Sequence, residues 1–108
     1  MIIRFTPDAD AELAEARQWY AHQREDLDLE FMDCIDDVLS RVVRDPDLYP
    51  IVYRNLRRAV VRRFPFAVFY EITTDEIQVI AVFHSRRDPE SWQKRVEEQL
   101  ASRRSRDR

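Results

Sequence analysis

The residues with the most chemical potential lie in two short stretches. His84-Ser85-Arg86-Arg87-Asp88 leaves the end of a β-branched and aromatic run, and Arg62-Arg63 precedes Phe64-Pro65-Phe66. A histidine has an unperturbed pKa near neutrality and can give or take a proton. Arginine forks match phosphate and carboxylate oxygens two at a time. Together they describe an anion-facing surface with one candidate proton-transfer group. Two plainer uses stand beside that reading: His84 as a hydrogen-bonder toward Asp88 or the following helix, and the arginines as partners for an acidic protein segment or as solvated surface. Tyr53, Tyr70 and Glu71 are the remaining acid–base candidates, none at a distinctive spacing.

Several chemistries are disfavoured. His22, His84 and Cys34 do not fall at metal-ligand spacings, so neither a metal nor a cofactor is expected. Glycine is absent, which removes any glycine-rich phosphate loop and favours type I turns. With one cysteine there is no internal disulfide, and Cys34 sits in a helical pattern as a small core residue. No apolar run approaches the roughly 20 residues of a membrane span. The opening Met1-Ile2-Ile3-Arg4-Phe5-Thr6-Pro7 lacks the layout of a secretory signal. The expectation is a cytoplasmic protein with no membrane partner.

Net charge is −3, but unevenly spread. Residues 1–50 carry thirteen acids against five arginines, a net −8, and the rest carries thirteen cations against eight acids, a net +5. Such a chain has a steering field that its total charge hides. Lys94 is the only lysine.

The elements that must position these residues follow in order. Ile2 to Phe5 reads as a strand. Thr6 is a helix N-cap with Pro7 at the first helical position and Asp8, Asp10 and Glu12 near the positive end. Leu13, Ala16 and Tyr20 mark a helix through about Gln23, with Trp19 packing beside Tyr20. Leu27, Phe31, Ile35, Val38 and Val42 form a second amphipathic stripe, stopped at Asp45-Pro46. The short connection makes these an αα-hairpin. Asp47 to Pro50 is a link. Arg57 to Phe64 is a strand, with Arg62 sharing a face with Val60 and Phe64. Phe64 to Ile72 and Ile77 to Asp88, joined by Thr73-Thr74-Asp75-Glu76, predict a central β-hairpin. Strict alternation puts Ile77, Val79, Ala81 and Phe83 on one face and Ile80, Val82 and His84 on the other. Asp88-Pro89 opens a third helix to about Leu100 carrying Trp92 and Val96, and 101–108 is a basic, disordered tail beyond a single domain at 1–100. The order β-α-α-β-β-β-(α) is an α+β fold, with a helical hairpin on one face of a mostly antiparallel sheet.

This order, with Arg62 to Ile72 and Ala81 to Trp92, resembles the RelE/ParE superfamily of type II toxins, often labelled plasmid stabilisation proteins, and is closer to the ParE-like branch. The resemblance covers residues 1 to about 95. It implies a growth-inhibiting toxin held by a cognate antitoxin, whose own N-terminal part reaches operator DNA. ParE-like members inhibit DNA gyrase; RelE-like members cleave mRNA on the ribosome without a metal. Such cleavage needs a base for the 2′-hydroxyl, an acid for the 5′ oxygen and cations for the phosphorane. His84, Arg62 and Arg86 are the only set available here, so catalysis is the alternative. As a binding surface for antitoxin or target, the set is Arg62, Arg63, His84, Arg86 and Arg87. A non-toxic or decayed antitoxin-binding module is the third reading.

Overall fold

The computed structural model describes the backbone of residues 1–106 and the side chains of residues 1–102. Thr6 opens the first helix as its sequence predicts: the hydroxyl accepts the Ala9 N–H at 3.2 Å, and Pro7 needs no donor there. Helix α1 (Pro7–Gln23) buries Ala9, Ala16 and Tyr20, and α2 (Leu27–Arg44) buries Phe31, Ile35, Val38 and Val42. Asp26 turns the chain between them at φ 65°. Asp45 then caps α2 ahead of Pro46, whose ring forbids another turn.

The described residues form one five-stranded sheet in the order β1-β5-β4-β3-β2. Strand β1 (Ile2–Phe5) runs parallel to β5 (Glu76–His84), with Phe5 opposite Val79. The other neighbours are antiparallel: β5 with β4 (Phe66–Ile72), β4 with β3 (Leu56–Val60), β3 with β2 (Ile51–Tyr53). Thr73 closes the central hairpin by bonding Glu76 through both its backbone N–H and its hydroxyl. The α1–α2 hairpin covers one face, and α3 (Pro89–Arg106) lays Trp92 and Val96 on the other. An α+β architecture with a mixed sheet therefore holds.

Four details depart from the sequence reading. Strand β2 is an unpredicted edge, too short for alternation to reveal. Strand β3 ends at Val60, and the chain turns through Arg63 at φ 69°. Val60 is consequently 59% exposed while Phe64 is buried, so the two do not share a face and Arg62 belongs to a turn. A bulge opposes Phe69 to Ala81 and Tyr70 to Val79, leaving Ile80 unopposed. That extra residue breaks strict alternation: Ile77 and Val79 pack under the hairpin, whereas Ala81 and Phe83 pack under α3. Finally, α3 continues to Arg106, so residues 101–106 of the expected disordered tail are helical; no proline or glycine interrupts them. Asp107 and Arg108 lie outside the described residues.

Arg95 fastens α3 to the rest. Its guanidinium donates to both Glu12 oxygens at 3.2 and 2.6 Å and to the Ile80 carbonyl at 3.0 Å, and stands over the Phe83 ring at 5.1 Å. Replacing Arg95 by Ala leaves the half-buried Glu12 carboxylate with only the Val82 N–H and the Ile80 carbonyl with only the Thr6 hydroxyl at 3.4 Å, a loss of roughly 1–3 kcal/mol. Denaturant titration of Arg95→Ala is therefore expected to show a stability loss of about 2 kcal/mol, with Trp92 emission shifting to the red.

Tyr70 gives a second test. Its hydroxyl donates to the Pro46 carbonyl at 2.6 Å, and burial pushes its pKa up from 10.0 to about 12. The unfolded chain loses this proton first, so stability falls as pH rises from 10 toward 12, by up to about 2–3 kcal/mol. Burial also raises the pKa of Tyr20, which adds to the same trend and makes the Tyr70→Phe comparison the decisive one. Urea midpoints at pH 9, 10 and 11 are expected to fall, with a shallower decline in Tyr70→Phe.

Candidate partner-binding site

The two cationic stretches meet at one end of the sheet because the backbone ties them. The Val61 N–H bonds the Phe66 carbonyl at 2.9 Å, closing the β3–β4 turn, and the Ser85 N–H bonds the Pro65 carbonyl at 2.7 Å. Phe66 stands opposite His84 in the β4–β5 ladder. Arg62, Arg63, His84, Arg86 and Arg87 thus occupy neighbouring loops. Beneath the turn lies an aromatic cluster of Tyr20, Phe31, Phe64 and Phe66, with ring centroids 4.9 to 6.1 Å apart. Contacts of this kind add about 0.5–1.5 kcal/mol per pair beyond area burial, so both helices hold the turn in place.

The side chains do not converge on one point. Arg63 leans to Glu30 at 3.0 Å across the Phe64 ring. Glu30 also takes Arg24 at 2.7 Å, and these two guanidiniums, Arg24 foremost, hold its carboxyl below the usual range. Arg87 lies over Phe83, 4.5 Å from the ring centroid. Arg62 and Arg86 are exposed, and among the described residues neither side chain has an acidic partner. His84 accepts the Arg86 N–H at Nδ1, 3.1 Å, and meets Phe66 edge-on at 5.4 Å. The ring is a cap for the loop that presents the arginines, which leaves Nε2 to carry the proton of the neutral imidazole. Its expected bond toward Asp88 is not made: the Asp88 carboxylate accepts the Glu90 N–H at 3.2 Å and starts α3.

The other acid–base candidates stand elsewhere. Tyr70 lies four strand positions from Phe66, roughly 13 Å along β4, and is spent on Pro46. Glu71, one residue further, is buried in the sheet. Tyr53 donates to Glu97 of α3 at 2.7 Å. None shares a site with His84. Among the described residues no three His, Cys, Asp or Glu side chains stand close enough to hold a metal ion, and no helix is long and apolar enough to cross a membrane.

A groove of about 420 Å³ opens beside His84. Trp19 and Tyr20 of α1 form one wall, and Phe66, Val82, His84 and Arg87 form the other, with Glu12 and Glu15 at the far end. Trp19 is a correction: it is 58% exposed and touches Tyr20 edge-on at 5.1 Å. The buried residues Ala9, Ala16 and Tyr20 already defined that helix face, and a one-residue step rotates Trp19 by about 100° from it. Trp92, by contrast, packs as expected, stacked on Phe69 at 5.5 Å.

The order and pairing of the elements are those of a small α+β toxin of the RelE/ParE superfamily. The family model described as ParE toxin of type II toxin-antitoxin system, parDE, matches residues 3–89, and the chain belongs to that family. Toxin ParE2 of Mycobacterium tuberculosis, in the CDC 1551 / Oshkosh and H37Rv strains alike, is 26% identical over 88 residues, covering 81% of this chain and 84% of the relative. A solved structure described as the chromosomal ParDE TA system from P. aeruginosa shares the fold at a TM-score of 0.58 and 18% identity, covering 78% of this chain and 95% of that one.

If His84 serves the loop, its removal is felt as stability. His84→Ala is expected to cost about 0.5–1.5 kcal/mol in denaturant titration through the lost Arg86 bond, and His84→Asn, which offers an acceptor at a similar reach, to recover part of it.

Proposed function

We propose that this ParE-family toxin arrests growth by binding DNA gyrase in the cytoplasm, and that a cognate antitoxin neutralises it and alone carries the pair to operator DNA. The observation behind this is the cationic end itself. His84 and Arg87 line an open, mostly apolar groove, and in the adjoining loops the exposed Arg62 and Arg86 have no acidic partner among the described residues. Surfaces of that kind draw a complementary partner and fix its register. A catalytic reading asks more of the same residues. His84 is occupied at Nδ1, Glu12 of the same groove is held by Arg95 and the Val82 N–H, and Arg63 is turned away toward Glu30. Binding leads in this reading, and no cofactor is called for.

Strong induction of the gene alone in a bacterium is expected to stop growth with induction of the DNA-damage response, and the purified protein to inhibit gyrase supercoiling. Co-expression of the neighbouring acidic-tailed partner restores growth. Arg62→Glu with Arg86→Glu is expected to weaken inhibition at least tenfold. Unchanged growth would sink the proposal, and mRNA cuts inside translated codons that disappear in His84→Ala would move the protein to the nuclease reading.

A further inference from the structure

The lane beside β5 is only half filled. Strand β1 pairs with Glu76 to Val79, after which Thr6-Pro7 turns the chain into α1. Beyond that point side chains take over: the Ile80 carbonyl accepts from Arg95, and the Val82 N–H donates to Glu12 Oε1 at 3.1 Å. That last bond shows that the Val82 backbone faces outward, away from β4. His84, two residues on, faces the same way, and its opposite number Phe66 directs its carbonyl to β3, as a non-bonded ladder pair requires. The Val82 carbonyl and the His84 N–H therefore point into the groove, with no partner among the described residues.

An acceptor on one residue and a donor two residues later is what a single residue of a parallel strand satisfies, donating to the first and accepting from the second. An antiparallel neighbour would instead need the Val82 N–H, which Glu12 holds, or the His84 carbonyl, which accepts the Arg87 N–H at 2.9 Å. Charge then sets the sequence. A strand parallel to β5 runs from Glu12 and Glu15 toward Arg86 and Arg87. An acid early in the segment meets carboxylates, and an acid late in it meets guanidiniums.

We propose that this groove binds an extended peptide segment by parallel strand addition to Val82–His84, with an apolar residue seated against Trp19 and Tyr20 and acidic residues following it. The source is the neutralising partner's apolar-acidic segment, so this assignment rests on the antitoxin reading above. Main-chain pairing supplies affinity, and the pocket with its charged rim supplies selectivity.

The experiment is selection of a random dodecamer peptide display library on the purified protein, followed by titration of the enriched peptides by tryptophan emission. The expected consensus is an apolar residue followed within a few positions by Asp or Glu, and a peptide with that order reversed binds at least tenfold more weakly. His84→Pro deletes the outward N–H without touching the β4 ladder, and is expected to lose binding at least tenfold beyond whatever is lost in His84→Ala, which removes the imidazole but keeps that N–H. Trp19→Ala and Arg87→Glu are expected to lose it as well. Circular dichroism and a thermal midpoint within a few degrees of the parent establish that each variant is folded. Enrichment that ignores peptide order, or that survives His84→Pro and Trp19→Ala, overturns the proposal, as does no enrichment at all. A dimer broken by His84→Pro in the absence of any selected peptide assigns the groove to a second copy, and also overturns it. The library contains no antitoxin or gyrase, so its failure leaves the toxin reading standing, and absence of growth arrest leaves the peptide result intact.

Discussion

The backbone edge of β5 beyond Val79 has to be satisfied without a strand, and much of the structure follows from how that is done. An open edge in a small protein invites pairing with other chains. Here Thr6-Pro7 ends β1 and starts α1 in the same two residues, which places Glu12, about one and a half turns further along, above the edge. The carboxylate takes the Val82 N–H and then recruits Arg95 from the opposite face of the sheet, and Arg95 takes the Ile80 carbonyl. One acid and one arginine thereby join α1, β5 and α3. Neither is expensive to bury, since each meets the other's charge and a backbone group besides.

The charge asymmetry acquires a structural meaning on this frame. The acidic half is the helical hairpin, and the basic half forms the sheet end and α3. Contacts between the halves consume particular cations: Arg63 on Glu30, Arg95 on Glu12, Arg57 on Asp47. Exposed pairs of this type contribute little to stability, a median of about 0–1 kcal/mol. Their consequence is selection. Once they are made, Arg87 remains at the groove and Arg62 and Arg86 remain exposed in the adjoining loops, so the cationic surface left over is set by which arginines the fold has already used.

Legibility in the sequence tracked the range of the interaction. Thr6-Pro7, Asp45-Pro46 and the Phe31–Ile35–Val38–Val42 stripe are local devices, and they appear where the residues place them. The hairpin around Thr73 to Glu76 is also local. What was hidden is non-local. The bulge at Ile80 lets β5 serve two cores, and both alternations look equally apolar before the partner strand is known. Arg63 at positive φ carries no glycine to announce it, and the pull of Glu30, thirty-three residues away, is invisible to any window. That the two cationic stretches are neighbours was legible from the central hairpin, whereas the groove was not. Its wall includes Trp19, which residue type alone assigns to the core.

The same distinction bears on catalysis against binding. A histidine followed by arginines at a strand end looks like a proton-transfer group beside phosphate-holding cations, and residue types cannot separate that from a loop cap beside a docking rim. The partners already taken favour the second. A general base must present a lone pair to its substrate, and the Nδ1 lone pair of His84 is directed at Arg86 N–H, two residues ahead in its own loop. The imidazole edge that remains faces Phe66 and the groove. There it is one polar point on a mostly aromatic wall, next to a strand edge with a donor and an acceptor in parallel register. On the proposed reading such a place would recognise an extended chain by its backbone and by the order of its side chains, which asks no proton of His84.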